Sequence, residues 1–168
     1  MPHWDARARY AVTVAASAER AYRAVRTLDL ARSPTVRTLF WLRGLPTRRV
    51  DFSRLERTGF VPLGEDPGRE YLLGVVGRFW TAGGDLQRMA NADAFDRFAD
   101  SQFAKAAWNF TVRQVPGGRT EVATETRVEC LGPAARRWFR LYWALIGPFS
   151  GWIRREALRI VKRTAEAG

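Results

Sequence analysis

The sequence predicts an α+β domain in which an antiparallel sheet follows two short helices and is covered by one long final helix. Three observations lead there. The chain opens on a stretch with strand period, ARYAVTVAA. Its middle, from Val50 to Cys130, is a series of short alternating or apolar runs divided by turn residues. After Gly132-Pro133 an apolar stripe at helical spacing continues to about Ala167.

In the opening strand Tyr10, Val12 and Val14 share one face, and Arg9, Ala11 and Thr13 the other. That period of two marks a half-buried strand. Ser17 is a good N-cap, with Glu19 in the first turn behind it, so a helix from Ala18 is predicted with Ala18, Tyr22, Val25 and Leu28 on its buried face. Ser33-Pro34 begins a second helix, a cap followed by proline at the first helical position. It presents Val36, Leu39, Phe40 and Leu42, and Gly44 and Pro46 should stop it.

The runs VDFSRLE, GFVPL and REYLLGVVGRFW are read as strands of the sheet. The clearest pair is KAAWNFTVRQV and RTEVATETRVEC, joined by Pro116-Gly117-Gly118 into a long antiparallel hairpin. In its second arm Val122, Thr124, Thr126, Val128 and Cys130 share one face, and Glu121, Glu125, Arg127 and Glu129 the other. In the first arm Trp108, Phe110 and Val112 face together. One face of the sheet is therefore solvated and the other covered. The cover is the last helix, whose stripe runs Phe139, Tyr142, Ile146, Phe149, Ile153, Leu158 and Val161, with a bend expected at Gly147-Pro148.

Composition bounds what such a domain does. At 168 residues and 46% hydrophobic content, residues 1–168 form one domain with a sizeable core. The formal charge is +11, carried by the two ends: +7 over residues 1–49, −2 over 50–132 and +6 over 133–168. Of the 28 basic residues 26 are arginine, a skew more easily produced by genome base composition than by a binding site. With no RNP aromatics, zinc-finger spacing or helix-turn-helix in the sequence, a nucleic-acid role is not expected.

The thirteen uncharged residues Leu141–Ile153 fall short of the roughly 20 needed to cross a bilayer and are broken by Gly147-Pro148. MPHWDARARYAV lacks the apolar core of a secretory signal, and the single cysteine, Cys130, can form no internal disulfide. Both point to a cytoplasmic protein.

Strand, two short helices, a curled sheet and a long last helix resemble the helix-grip fold of the START-like, or SRPBCC, superfamily. The likeness is strongest in YAVTVAASAERAYRAV, in TEVATETRVEC and in FRLYWALIGPFSGWIRREAL, stretches similar to those of small bacterial members. The superfamily includes lipid-transfer domains, polyketide cyclases and dehydrases, and coenzyme-Q-binding proteins. The resemblance implies a hydrophobic pocket between sheet and long helix, with WALIGPFSGWIRR as one wall.

The residues themselves argue against several chemistries. His3, the only histidine, lies near the terminus, which leaves a Ser-His-Asp or Cys-His arrangement without a base. No metal-ligand spacing occurs, and no cofactor is expected. The glycines of GVVGRFW and TAGGD lack the P-loop and dinucleotide-binding spacings and are read as bulge and turn. Cys130 is expected in the core, and Arg78 at an exposed strand end. Asp93, Asp96 and Asp100 flank Phe95 and Phe98 in a segment that could cap a pocket mouth.

What remains is an aromatic pocket. Phe79, Trp80, Trp108, Phe110, Tyr142, Trp143, Ile146 and Phe149 are its expected apolar lining, with the hydroxyls of Thr124 and Thr126 among them. The expected function is binding of a hydrophobic or amphipathic small molecule: a lipid, an isoprenoid or a polyketide-like compound. No catalytic residue is assigned. An enzymatic alternative, a polyketide cyclase or dehydratase, requires an inward acid, base or phenol, for which Tyr142 and Tyr71 are the candidates. A further alternative is peripheral docking on an anionic membrane through the arginines and the exposed part of Trp143 to Ile153.

Overall fold

The computed structural model describes residues 3–42 and 50–167, and only the backbone over 39–42. Element order is β1 (Ala6–Val14), α1 (Ala18–Arg26), a short 3-10 turn, α2 (Pro34–Leu42), α3 (Phe52–Arg57), β2 (Val61–Asp66), β3 (Glu70–Gly77), a second 3-10 turn, α4 (Ala92–Arg97), β4 (Ala104–Val115), β5 (Arg119–Cys130) and α5 (Pro133–Glu166). The five strands form one curved antiparallel sheet in the order β1-β5-β4-β3-β2, crossed by α5 as in a helix-grip fold. The expected helix stop at Gly44 and Pro46 lies outside the described residues, as do the side chains of Leu39, Phe40 and Leu42.

The hairpin of β4 and β5 has the predicted arms, with Val115 opposite Arg119 at the turn and Ala104 opposite Cys130 at the far end. Burial follows the alternation: Thr120, Val122, Thr124, Thr126, Val128 and Cys130 are all buried. On the outer face Glu125 pairs with Arg7 and Arg127, and Glu121 with Arg9 and Arg113.

Two segments differ from the sequence reading. VDFSRLE forms α3 rather than a strand, because the Asp51 carboxylate caps it and accepts from the Arg54 amide at 2.9 Å. Segment 92–97 is the short helix α4, but it lies on the outer face of the sheet rather than at the mouth of a pocket. Phe95 is buried there beside Val61 and Val76. It fits because Gly74 has no side chain; a Cβ would meet Phe95 and Leu63 at 2.8 Å.

Helix α5 runs through Gly147-Pro148 as one element. Its C-terminal end is tied to the β1–α1 corner by three bonds: the Ala15 amide to Glu166 (2.8 Å), Lys162 to the Thr13 carbonyl (2.9 Å) and Arg20 to the Ala165 carbonyl (2.7 Å). At its N-terminal end Arg136 donates to Asp5 at 2.5 Å. The helix is thus fixed at both ends and spans the sheet between them.

Candidate functional site: the space under helix α5

Strand register arranges the inner face of the sheet in rows. Ala6, Val128, Ala106 and Val75 form one row, Ala8, Thr126, Trp108 and Leu73 the next, and Tyr10, Thr124, Phe110 and Tyr71 a third. The core on this face divides into two clusters. The larger joins Val14, Val25, Phe52, Phe110, Val122, Leu158 and Val161 among others; the smaller holds Ala104, Val128, Cys130, Ala135 and Phe139.

Between the clusters inward-facing side chains keep part of their surface accessible: Ala106 and Trp108 on β4, and Tyr142, Ile146, Ser150 and Arg154 on α5. β4 lies inside the sheet, with a neighbour on each side, so inner-face residues there would ordinarily be fully covered. Alanines at 6, 8 and 106 leave the floor low at this point.

The residues expected to line a pocket separate into three groups. Trp108, Tyr142, Trp143 and Ile146 are partly accessible, and Thr126, opposite Trp108 in the sheet, is buried. Phe79 and Trp80 follow the end of β3 at Gly77, so they sit in a turn rather than a strand, and they pack on the smaller cluster with Tyr142 and Trp143. Phe110 and Thr124 belong to the core instead. Phe110 packs edge-on to Phe52, and the Thr124 hydroxyl accepts from the Trp108 indole (2.7 Å) while donating to the Asn109 carbonyl (2.8 Å), leaving little to offer a ligand.

Phe149 is a correction. It is 45% exposed, on the outer side of α5 with Trp138, Leu141, Leu145 and Trp152. These five recur at three- and four-residue intervals, so α5 carries a second apolar stripe. A helix apolar on two faces satisfies one periodicity in two phases, and Phe149 belongs to the outer one.

The polar group beneath α5 that the sequence reading passed over is Arg154. Its Nε–H donates to Thr126 Oγ1 (3.0 Å), and Nη1 donates to the Ser150 carbonyl (2.8 Å) and hydroxyl (2.5 Å). Among the described residues no carboxylate pairs with it, and Nη2 donates to no protein atom. Burial pulls its pKa down to about 10, against which the nearby phenols of Tyr10 and Tyr142 favour the charged form. The available signal was its spacing: Arg154 stands four residues after Ser150 and four before Leu158, on the inward side of a helix whose other arginines lie mostly off that stripe.

Tyr10 reaches the same space from β1. A Cβ at Gly151 would collide with its phenol oxygen, so glycine at that turn of α5 lets the ring pass beneath the helix. Tyr71, one of the two phenols considered for catalysis, is buried elsewhere. It donates to Glu56 at 3.0 Å, Arg26 lies over its ring at 4.0 Å, and burial raises its pKa despite that cation.

The other sequence candidates take structural places. Cys130 is buried, and burial together with Asp5 pushes its thiol up to about 12. Arg78 is exposed and pairs with Asp85 at 2.6 Å. Among the described residues no cluster of three or more His, Cys, Asp or Glu side chains is placed to hold a metal ion, and no helix is long and apolar enough to cross a membrane.

Three hollows bounded by described residues lie outside this space: one of about 730 Å³ between the ends of α1 and α3, one of about 520 Å³ beside Arg163, and one of about 460 Å³ beside Arg136, Arg137 and Arg140.

No protein-family model matches the chain, and comparison with curated proteins yields no match. Among solved structures it is similar to the di-domain ARO/CYC StfQ from the steffimycin biosynthetic pathway, at 16% identity and a TM-score of 0.34 over 95% of this chain; the chain spans 44% of that protein. It is also similar to TTHA0849 from Thermus thermophilus, at 12% identity and a TM-score of 0.39, over 95% of this chain and 97% of that one.

Proposed function

We propose that the chain binds a hydrophobic or amphipathic small molecule between α5 and the sheet, as the START-like resemblance of its sequence implies. The observation that carries this reading is the partial accessibility of Ala106 and Trp108 at the middle of the inner face, beneath α5. A ligand there would cover Trp108, Ile146 and Trp143 and remove apolar surface from water. Each Å² so buried stabilises the complex by roughly 25 cal/mol before the costs of association. Fluorescence titration with N-phenyl-1-naphthylamine, a neutral apolar probe, tests it. Saturable uptake at one site, abolished by Ala106→Trp in a variant that still melts cooperatively, is the expected result. Absence of uptake, together with an empty protein in native mass spectrometry, would make these aromatics ordinary core.

A second reading has its own observation. The stripe Trp138, Leu141, Leu145, Phe149, Trp152 is exposed, and α5 carries no acidic residue before Glu156, whereas Arg136, Arg137, Arg140, Arg154 and Arg155 precede it. An apolar stripe with tryptophans on an arginine-rich helix suits the interface of an anionic bilayer. Docking there would place the helix above the proposed site against the source of an apolar ligand.

A further inference from the structure

Burying a guanidinium without a counter-charge is costly unless hydrogen bonds or an anion compensate it. The ion-paired arginines of the described chain meet carboxylates at or near the surface, as Arg7 does with Glu125 and Arg136 with Asp5. The buried lysine on the outer face, Lys105, is capped by the Asp96 carbonyl. Arg154 differs from all of these. It is drawn under α5 and held by Thr126 and Ser150 on two of its nitrogens, with the third left over.

We infer that Arg154 is the anion-recognition residue of the proposed site, and that the ligand is an amphipathic monoanion, specifically a carboxylic acid with an apolar body. The inference rests on the small-molecule reading given above. Thr126 and Ser150 fix the guanidinium plane from the sheet side and from one helical turn before it. Nη2 is left without a protein acceptor among the described residues. A carboxylate accepting from Nη2 would supply the missing counter-charge. The count of charges selects the class. One cation with neutral hydroxyl neighbours balances one negative charge; a phosphate dianion would leave a net charge buried. The apolar body would lie over Trp108 toward Trp143 and the smaller core cluster.

The test is displacement of N-phenyl-1-naphthylamine from the full chain by dodecanoate and by dodecanol, which share an alkyl body and differ in the head. Dodecanoate is expected to displace at a concentration about tenfold or more below that of dodecanol, the ratio a charge-assisted hydrogen bond provides. That ratio should persist in 0.5 M salt, since a buried pair is little screened. Arg154→Met should bring the two competitors level, each displacement being read against the probe affinity measured for that variant. If Arg154→Met does not fold, Thr126→Val, which frees the guanidinium from the sheet, should reduce the ratio several-fold. Equal displacement by acid and alcohol in the native protein overturns the inference while leaving the small-molecule reading intact. A ratio that collapses in salt, or that survives Arg154→Met, assigns the preference to the basic surface and overturns it equally. Failure of the native protein to take up the neutral probe removes the underlying reading instead.

Discussion

The two halves of α5 belong to one continuous helix, and the more apolar N-terminal half is the less buried. From Ala157 onward Ala157, Leu158, Ile160, Val161 and Ala165 are all buried, and three hydrogen bonds lock the helix to the β1–α1 corner. From Trp138 to Trp152 five large apolar side chains face solvent, and of those turned toward the sheet Phe139 is buried whereas Tyr142 and Ile146 stay partly accessible. One half closes the core. The other stands over a space and presents a stripe outward. Apolar content alone therefore does not reveal whether a helix folds the chain or serves something the chain meets.

The largest effect that sharpens this contrast is in the closed half. Leu158→Ala should lower unfolding free energy by about 2–5 kcal/mol, the cost of a cavity in a site that cannot collapse. Ile146→Ala, the equivalent truncation at the partly accessible middle of the helix, should cost less, about 1 kcal/mol, as for a side chain only partly withdrawn from water. Denaturant titration of the two variants measures both. Similar losses would mean the middle of α5 is packed as tightly as its end, and the contrast would break.

A smaller effect concerns how each half is fastened. Burial opposes ionisation of Asp5, but the Cys130 amide (2.8 Å) and Arg136 (2.5 Å) outweigh it and hold its pKa below the usual carboxylate value. Glu166, at the other end, is lowered chiefly by the Ala15 amide. A carboxylate whose pKa is depressed in the fold adds stability above its unfolded pKa of about 4 and loses it as pH falls through the folded value. Acidification below about pH 4 should thus loosen both fastenings together, and Asp5→Asn should flatten the acid side of the stability profile without changing it at neutral pH by the same amount as Leu158→Ala. A profile for Asp5→Asn parallel to that of the native chain would show that the N-terminal fastening contributes nothing.

Much of this architecture was legible in the sequence because it is written in periods. The alternation of Val122, Thr124, Thr126, Val128 and Cys130 marked the inner face of β5, and Ser17 and Ser33-Pro34 marked the starts of α1 and α2. VDFSRLE misled because seven residues are too few to separate a strand from a capped turn of helix, and the Asp51 cap decided it. The outer placement of α4 could not be seen, since Gly74 only becomes a socket for Phe95 once β2 and β3 are paired. For the expected lining, parity and spacing did not separate core from accessible positions: Trp108, Tyr142, Trp143 and Ile146 keep part of their surface accessible, Phe110 and Thr124 are core, and Phe149 faces outward. Arg154 was hidden by its type, because arginine on an arginine-rich helix resembles surface.

The smallest effect on stability tests the outward stripe. Leu145 is 69% exposed, so Leu145→Ser should change unfolding free energy by no more than about 0.5 kcal/mol. Its consequence should lie in binding. Sedimentation with vesicles of phosphatidylglycerol and phosphatidylcholine should retain the native chain and release it in part on adding salt, because the arginines act through a screened field while the stripe acts through buried area. Leu145→Ser paired with Leu141→Ser should release it further at every salt concentration. Retention unchanged by the two serines would leave only the arginines as the cause, and the stripe would need another occupant. Concentration-dependent dimerisation of the native chain, lost in the same pair of variants, would identify that occupant as a second copy. Either result leaves Leu158 untouched: the two halves of α5 would still differ in what they bury, and only the destination of the outward half would change.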